Sequence, residues 1–315
     1  MIAGEHHQHP SSVEGVSNQP PVEAPALSGI SKALDFVGRA LITLGLLMLA
    51  FVGYQLWGTG IHESREQDSL KSSFEKAAAQ TPESNVAPVE GEGIGRIVIP
   101  KLKVDKFIVA GVDYKSLKKG PGLFPNSPMP GQLGNVAIAG HRTTFGSPFE
   151  RIDELTVGDT IQLVTAKKTF TYVVTQNPVI VRPTKVEVVK TTDKTRAKLT
   201  LVSCHPKWTA ANRIIVTAYI SGTDQPEKAT PFVPSATATS SKATDNFEEG
   251  WFHDPQAWPA VLFYGALLSL IGAVSVLFVK LGRGRKVVYP PALVLFLMTL
   301  YPFFENLSRL LPSNL

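Results

Sequence analysis

The sequence predicts an all-β domain, a barrel or a sandwich, carried at a membrane by apolar helices on both sides of it in the chain. Three observations predict this. Seven short runs rich in β-branched residues lie between Glu92 and Gly222, bounded by Gly, Pro and Asn. Three long runs outside that window carry no formal charge. The composition of the 315 residues, 43% hydrophobic and 18% charged, is poorer in charge than the ~25% of an ordinary soluble domain.

The elements follow in chain order. Residues 1–35 are rich in Gly, Pro, Ser and His without apolar periodicity, so they are expected to form a disordered cytoplasmic tail, with His6, His7 and His9 as solvated side chains and no metal site. Residues 36–61 read as a transmembrane anchor. Within them, Ala40 to Ile61 is 22 residues without an acidic or basic side chain. At ~1.5 Å per residue such a run crosses a bilayer core of ~30 Å. Tyr54 and Trp57 fit an interfacial aromatic belt. A cleaved signal peptide would instead have an apolar region of ~7–15 residues before a small-residue cleavage site. Residues 62–91 read as a polar linker with a short helix from Arg65 to Ala79, and 223–254 as a second linker rich in Thr, Ala, Ser and Pro. Residues 255–279 and 287–304 read as two further spans, with 280–286 as a cytoplasmic loop and 305–315 as an external tail. Four cations in that loop, Lys280, Arg283, Arg285 and Lys286, and Lys32 and Arg39 before the first span, place 62–254 on the outer side by the positive-inside rule. Pro290, Pro291 and Pro302 leave a short re-entrant hairpin as the alternative to the third span.

Inside 92–222 the expected strands are Ile94–Ile99, Lys106–Val112, Asn135–Gly140, Thr160–Thr165, Thr169–Val181, Lys198–Ser203 and Arg213–Ile220, with helical turns at Leu117–Lys119 and Phe149–Leu155. The window holds 19 Lys/Arg against 9 Asp/Glu, a net +10 in a chain of net +5. Such a domain attracts anionic surfaces and polymers, and no nucleic-acid motif accompanies the charge. A single cysteine, Cys204, excludes an intramolecular disulfide framework and any cysteine-based zinc site.

Three stretches place a reactive side chain at the end of an expected strand: NVAIAGHR with His141, TLVSCHP with Cys204, and NRIIVT with Arg213. A thiolate is a competent nucleophile, an imidazole can donate a proton to a leaving amine, and a fixed guanidinium stabilises charge on a carbonyl oxygen. Cys204 and His141 are therefore candidates for a nucleophile and acid pair, with Arg213 beside them and the Ser203 hydroxyl placed to orient the same groups. The alternatives are an inert buried cysteine, a structural histidine and an ordinary arginine ion pair. His205 adjoins Cys204 on an extended chain and would point to the opposite face.

The TLVSC segment followed by HP resembles the Thr-Leu-x-Thr-Cys signature of sortases, the membrane-anchored cysteine transpeptidases of mainly Gram-positive bacteria. The resemblance extends over about 92–222 through IGRIVIPKL, NVAIAGHRTTFGSPF and HPKWTAANRIIVTAYI, and AGHRTTFG and HPKWTAANR are most like class E. It implies an eight-stranded β-barrel with Cys204 as nucleophile, His141 as general acid and Arg213 as oxyanion and substrate stabiliser. Ser203, in place of the usual Thr, and Thr200 are implied as substrate-binding residues. The implied reaction is cleavage of the Thr-Gly bond of an LPxTG or LAxTG sorting signal on secreted proteins, followed by joining to a cell-wall precursor amine, with no metal or organic cofactor. Two rivals remain: a class C-like pilin polymerase, whose Asp-Pro-aromatic lid motif is not found in 63–100, and a non-catalytic membrane-tethered β-barrel that binds wall polymers. The paired C-terminal spans are not part of the minimal sortase plan.

Overall fold

The computed structural model describes residues 29–80, 89–222, 224–229 and 255–310. The expectations for most of the N-terminal tail, most of the linker 223–254 and the end of the external tail fall outside the described residues. The chain divides into two compact units after Leu49. The first contains most of helix α1 (Gly29–Gly53), whose Leu41, Ile42, Leu44, Leu46, Met48 and Leu49 are exposed, as a lipid-facing helix requires.

In the second unit a π-helical turn, Tyr54–Gly58, leads into α2 (Thr59–Gln80). The strands are β1 (Gly93–Ile99), β2 (Val104–Ala110), β3 (Gly122–Leu123), β4 (Gly134–Ala139), β5 (Thr160–Val164), β6 (Thr169–Val174), β7 (Val179–Val181), β8 (Ala197–His205) and β9 (Asn212–Ile220), with α3 (Tyr114–Leu117) after β2. They are ordered β6-β5-β1-β2-β3-β4-β8-β9, and pairing of β6 with β9 closes this set into an eight-stranded barrel. β7 adds to β9 as a ninth strand. The sandwich alternative is thereby replaced by a barrel, which leaves fewer open sheet edges. The run expected from Thr169 to Val181 is two strands because Pro178 cannot donate to a ladder. β3, only two residues long, carries no periodicity that a sequence reading could detect. The helical turn expected at Leu117–Lys119 begins earlier, at Tyr114, because the Asp113 carboxylate caps the amides of Lys115 and Ser116.

The barrel interior is filled by alternate residues such as Ile97, Ile108, Ile138, Phe170, Leu201 and Val216, each essentially without solvent exposure. One loop must approach this core without a side chain. Gly131 adopts φ +87°, and a Cβ there would fall inside the Phe170 ring, while its amide donates to the Tyr172 hydroxyl at 3.0 Å. Gly131→Ala is expected to destabilise the barrel by about 2 kcal/mol or more, measurable as a lowered denaturation midpoint.

The helix expected within the linker from Arg65 to Ala79 is longer, Thr59–Gln80, and lies against the barrel. Gln67 treats the edge of β2 as a partner strand: its amide donates to the carbonyls of Phe107 (3.0 Å) and Lys119 (2.8 Å), and its oxygen accepts from the Phe107 amide at 2.6 Å. Glu63 pairs with Lys106 at 2.8 Å, and Leu70 is buried. Three helical stretches are long and apolar enough to cross a membrane, Ser31–Lys76, α4 (Trp258–Lys280) and α5 (Arg285–Leu310). α4 and α5 form an antiparallel hairpin in which Ala257 and Val261 pack near Leu310. α5 continues through Pro290, Pro291 and Pro302 as one helix of 26 residues, in place of the re-entrant alternative.

Candidate active site

Strand topology decides which side chains meet. β4 and β8 run parallel, with Ala139 opposite Val202, so both strands finish at the same end of the barrel. β9 runs antiparallel to β8, and its register pairs Cys204 directly with Arg213. His141 follows the last residue of β4 by two positions. Three residues spread over 73 positions of sequence are therefore gathered at one barrel end. Side-chain parity then selects the face. Ala137, Ala139, Val202 and Ile215 belong to a second apolar cluster separate from the barrel core, with Leu117, Phe124 and Val189 packed over it. With a period of two, His141, Cys204 and Arg213 continue the rows of Ala139, Val202 and Ile215 on this outer face.

All three are buried: Cys204 is 1% exposed, His141 3% and Arg213 4%. Arg213 Nη1 stands 3.6 Å from the Cys204 Sγ and donates to the carbonyls of Ala210 (2.9 Å) and Asn212 (3.1 Å), which fixes the guanidinium against the thiol. The His141 ring packs on Phe145 with centroids 5.1 Å apart. This return is made by three consecutive residues in the left-handed region, Phe145, Gly146 and Ser147, and a Cβ on Gly146 would strike the Glu63 carboxylate of α2.

Burial pushes the Cys204 thiol up to about 11, against the opposing pull of Arg213 first and Arg142 second. Removing solvent penalises the thiolate more than the two guanidiniums favour it. At pH 7 the thiolate is then on the order of 10⁻⁴ of the total. Alkylation of Cys204 by iodoacetamide is expected to accelerate about tenfold per pH unit from pH 7 to 10, because the rate follows the thiolate fraction below the thiol's own titration point. A rate already level at pH 8 would contradict the burial seen here.

Residues 97–221 match the sortase domain family. The barrel is a sortase domain. It is 33% identical over 195 residues to sortase SrtE1 of Streptomyces coelicolor, a match covering 57% of this chain and 55% of that relative. Sortase SrtE2 of the same organism is 29% identical over 207 residues, covering 59% of this chain and 81% of the relative. A solved sortase E from Streptomyces avermitilis is 34% identical, with a TM-score of 0.40, covering 44% of this chain and 93% of that one. The match thus spans just over half the length of SrtE1.

Two residues expected to bind substrate in the sortase domain have their hydroxyls engaged by the protein frame. Ser203, with no solvent exposure, donates to the Gly140 carbonyl at 2.7 Å and so ties β8 to the residue before His141. Thr200, equally buried, donates to Asn135 Oδ1 at 2.7 Å, and the Asn135 amide donates to the carbonyls of Val188 and Lys190. Four residues up the strand, Thr200 lies about 13 Å from Cys204 and secures the segment flanking the outer face. Sequence reasoning missed Arg142. Its Nη1 donates to the Cys204 carbonyl at 3.0 Å and lies 3.1 Å from His205 Nδ1, its Nε donates to the Glu150 carbonyl at 3.3 Å, and its Nη2 meets Asp153 at 2.8 Å. A charged residue closing an apolar strand, directly after the candidate acid, was the available signal. His205 takes the opposite side of the strand, held by Arg142 and away from the thiol, as its position beside Cys204 requires.

Proposed function

We propose that this chain is a membrane-anchored cysteine transpeptidase acting on secreted proteins that end in an LPxTG or LAxTG sorting signal. The observation that carries the reading is the Arg213 guanidinium 3.6 Å from the Cys204 thiol, at the barrel end that also holds His141. In the proposed reaction the Cys204 sulfur attacks the threonine carbonyl carbon of the Thr-Gly bond. His141 donates a proton to the departing glycine amine, the C–N bond breaks, and the Cys204 thiolate is left as a thioester. Arg213 stabilises the oxyanion that forms on the carbonyl oxygen in this water-poor setting. An amine of a cell-wall precursor then attacks the thioester, gives up its proton to His141 and releases the Cys204 thiolate. Ser203 acts by holding the Gly140 carbonyl, which fixes the start of the loop carrying His141. Each step is completed by side chains of this chain and the two substrates.

The proposed topology has the N-terminal tail inside, the barrel outside, 280–286 inside and the C-terminus outside. It is supported by the two ends of the α4–α5 hairpin. Lys280, Arg283, Arg285 and Lys286 cluster at one end, while Tyr301 and Phe304 meet Tyr54 at the other, with ring centroids 5.5 and 5.9 Å apart. On this reading α2 is the stalk that seats residues 92–222 at the membrane, and the net +10 of that window faces anionic lipid and wall polymers.

The test uses the full chain in lipid nanodiscs with LPxTG or LAxTG peptides, with and without an amine acceptor such as triglycine. The expected product is the acyl fragment joined to the acceptor, formed faster from one peptide. A chain that binds wall polymer but converts neither peptide would instead favour the non-catalytic module.

A further inference from the structure

We propose that Lys118 is a positioning residue for His141, held in place by Glu305 of α5, so that the C-terminal helical hairpin forms part of the catalytic apparatus. The inference rests on His141 acting as the general acid. Lys118 is a lysine whose side chain is only 9% exposed, in the turn after α3. Its ammonium lies 4.0 Å from the Glu305 carboxylate, 4.3 Å from the centroid of the Tyr114 ring and 5.5 Å from that of Phe145. Both ring distances fall within the ~6 Å over which a cation is attracted to an aromatic face. The Tyr114 hydroxyl reaches Ser308 Oγ at 3.5 Å, so the α3 turn meets α5 at two neighbouring turns of the helix. Phe145 carries the contact onward, because its ring packs on His141.

The loop needs external support. Phe145 holds φ +48°, a region unfavourable for a bulky residue, and Gly146 and Ser147 continue it. Support comes from two sides. On one, Thr59 of α2 accepts the Phe145 amide at 3.2 Å, and the ring lies 6.4 Å from that of His62. On the other stands Lys118, which Glu305 keeps over the ring. The same end of α5 carries Tyr301 and Phe304 against Tyr54, so both supports converge where two apolar helices meet the barrel. The barrel core packs separately from this junction, so loss of the support should free the His141 loop without unfolding the domain. This gives the paired C-terminal helices a role beyond tethering, for which α1 alone suffices.

The experiment compares full-length wild type, Lys118→Met, Lys118→Arg and Glu305→Gln in lipid nanodiscs. Amide hydrogen exchange over residues 141–149 is expected to quicken about tenfold in Lys118→Met and Glu305→Gln, with β1, β5 and β6 unchanged. In the same variants kcat for acylation by a sorting peptide should fall about tenfold at unchanged KM, and Lys118→Arg should restore both readouts. Wild-type exchange over 141–149 in both variants would overturn the proposal, as would a loss of protection spread over the whole barrel. If wild type itself acylates with no sorting peptide, the transpeptidase reading fails on that observation, while the exchange comparison still decides whether α5 braces the loop.

Discussion

Arg213→Ala is expected to lower the single-turnover rate of Cys204 acylation by on the order of 10²–10³, with the barrel still folded. Two contributions add. The guanidinium is the stronger of the two charges favouring the thiolate, so its removal raises the thiol further and shrinks the ionised fraction at any pH below its titration. In the proposed mechanism it is also the donor that meets the carbonyl oxygen as that oxygen becomes negative. The sign can be checked without a substrate. At pH 9 iodoacetamide should alkylate Arg213→Ala more slowly than wild type, since fewer of its thiols are ionised. Arg213→Lys should fall between the two, because a lysine keeps the charge but cannot also reach the carbonyls of Ala210 and Asn212 with the same planar fork. The β8–β9 ladder is made by the backbone, so the denaturation midpoint should move by only a few degrees.

His141→Gln is expected to cost about 10²–10⁴ in acylation by a peptide, the usual contribution of a positioned acid. The cause is specific to the leaving group. An amine departs poorly unless protonated, whereas an aryl thiolate departs without a proton. An activated thioester of the same sorting sequence should therefore recover most of the lost rate in His141→Gln and gain little in Arg213→Ala. Cys204 alkylation at pH 9 should be nearly unaffected by His141→Gln, which separates a lost acid from a damaged site. Equal losses with amide and thioester substrates would show that His141 acts on the nucleophile or on the fold instead.

What the sequence revealed follows from what is local. β1, β2, β4, β5, β8 and β9 were legible because each is an alternating or β-branched run, and NVAIAGHR, TLVSC and NRIIVT marked the strand ends that carry His141, Cys204 and Arg213. Barrel closure was not legible, because it depends on pairing Tyr172 with Ile220, residues far apart in sequence. The docking of α2 was hidden for a different reason. Its docked face interleaves Glu63 and Gln67, which bind Lys106 and backbone, with Leu70 and Phe74, so the apolar stripe is only two residues long. Side-chain roles were the least readable. Ser203 and Thr200 stand in the expected motif, yet only the fold reveals that their hydroxyls face Gly140 and Asn135. Arg142 was overlooked beside His141, although its contacts with the Cys204 carbonyl, His205, Glu150 and Asp153 join three segments around the site.

The proposed reaction requires that Cys204 take up an acyl group. The full chain in nanodiscs, incubated with LPxTG or LAxTG peptide and no acceptor, should gain the mass of the fragment ending in threonine. That adduct should map to Cys204, be released by hydroxylamine and be absent from Cys204→Ala. An unmodified wild type with both peptides, or the same adduct on Cys204→Ala, would contradict the account.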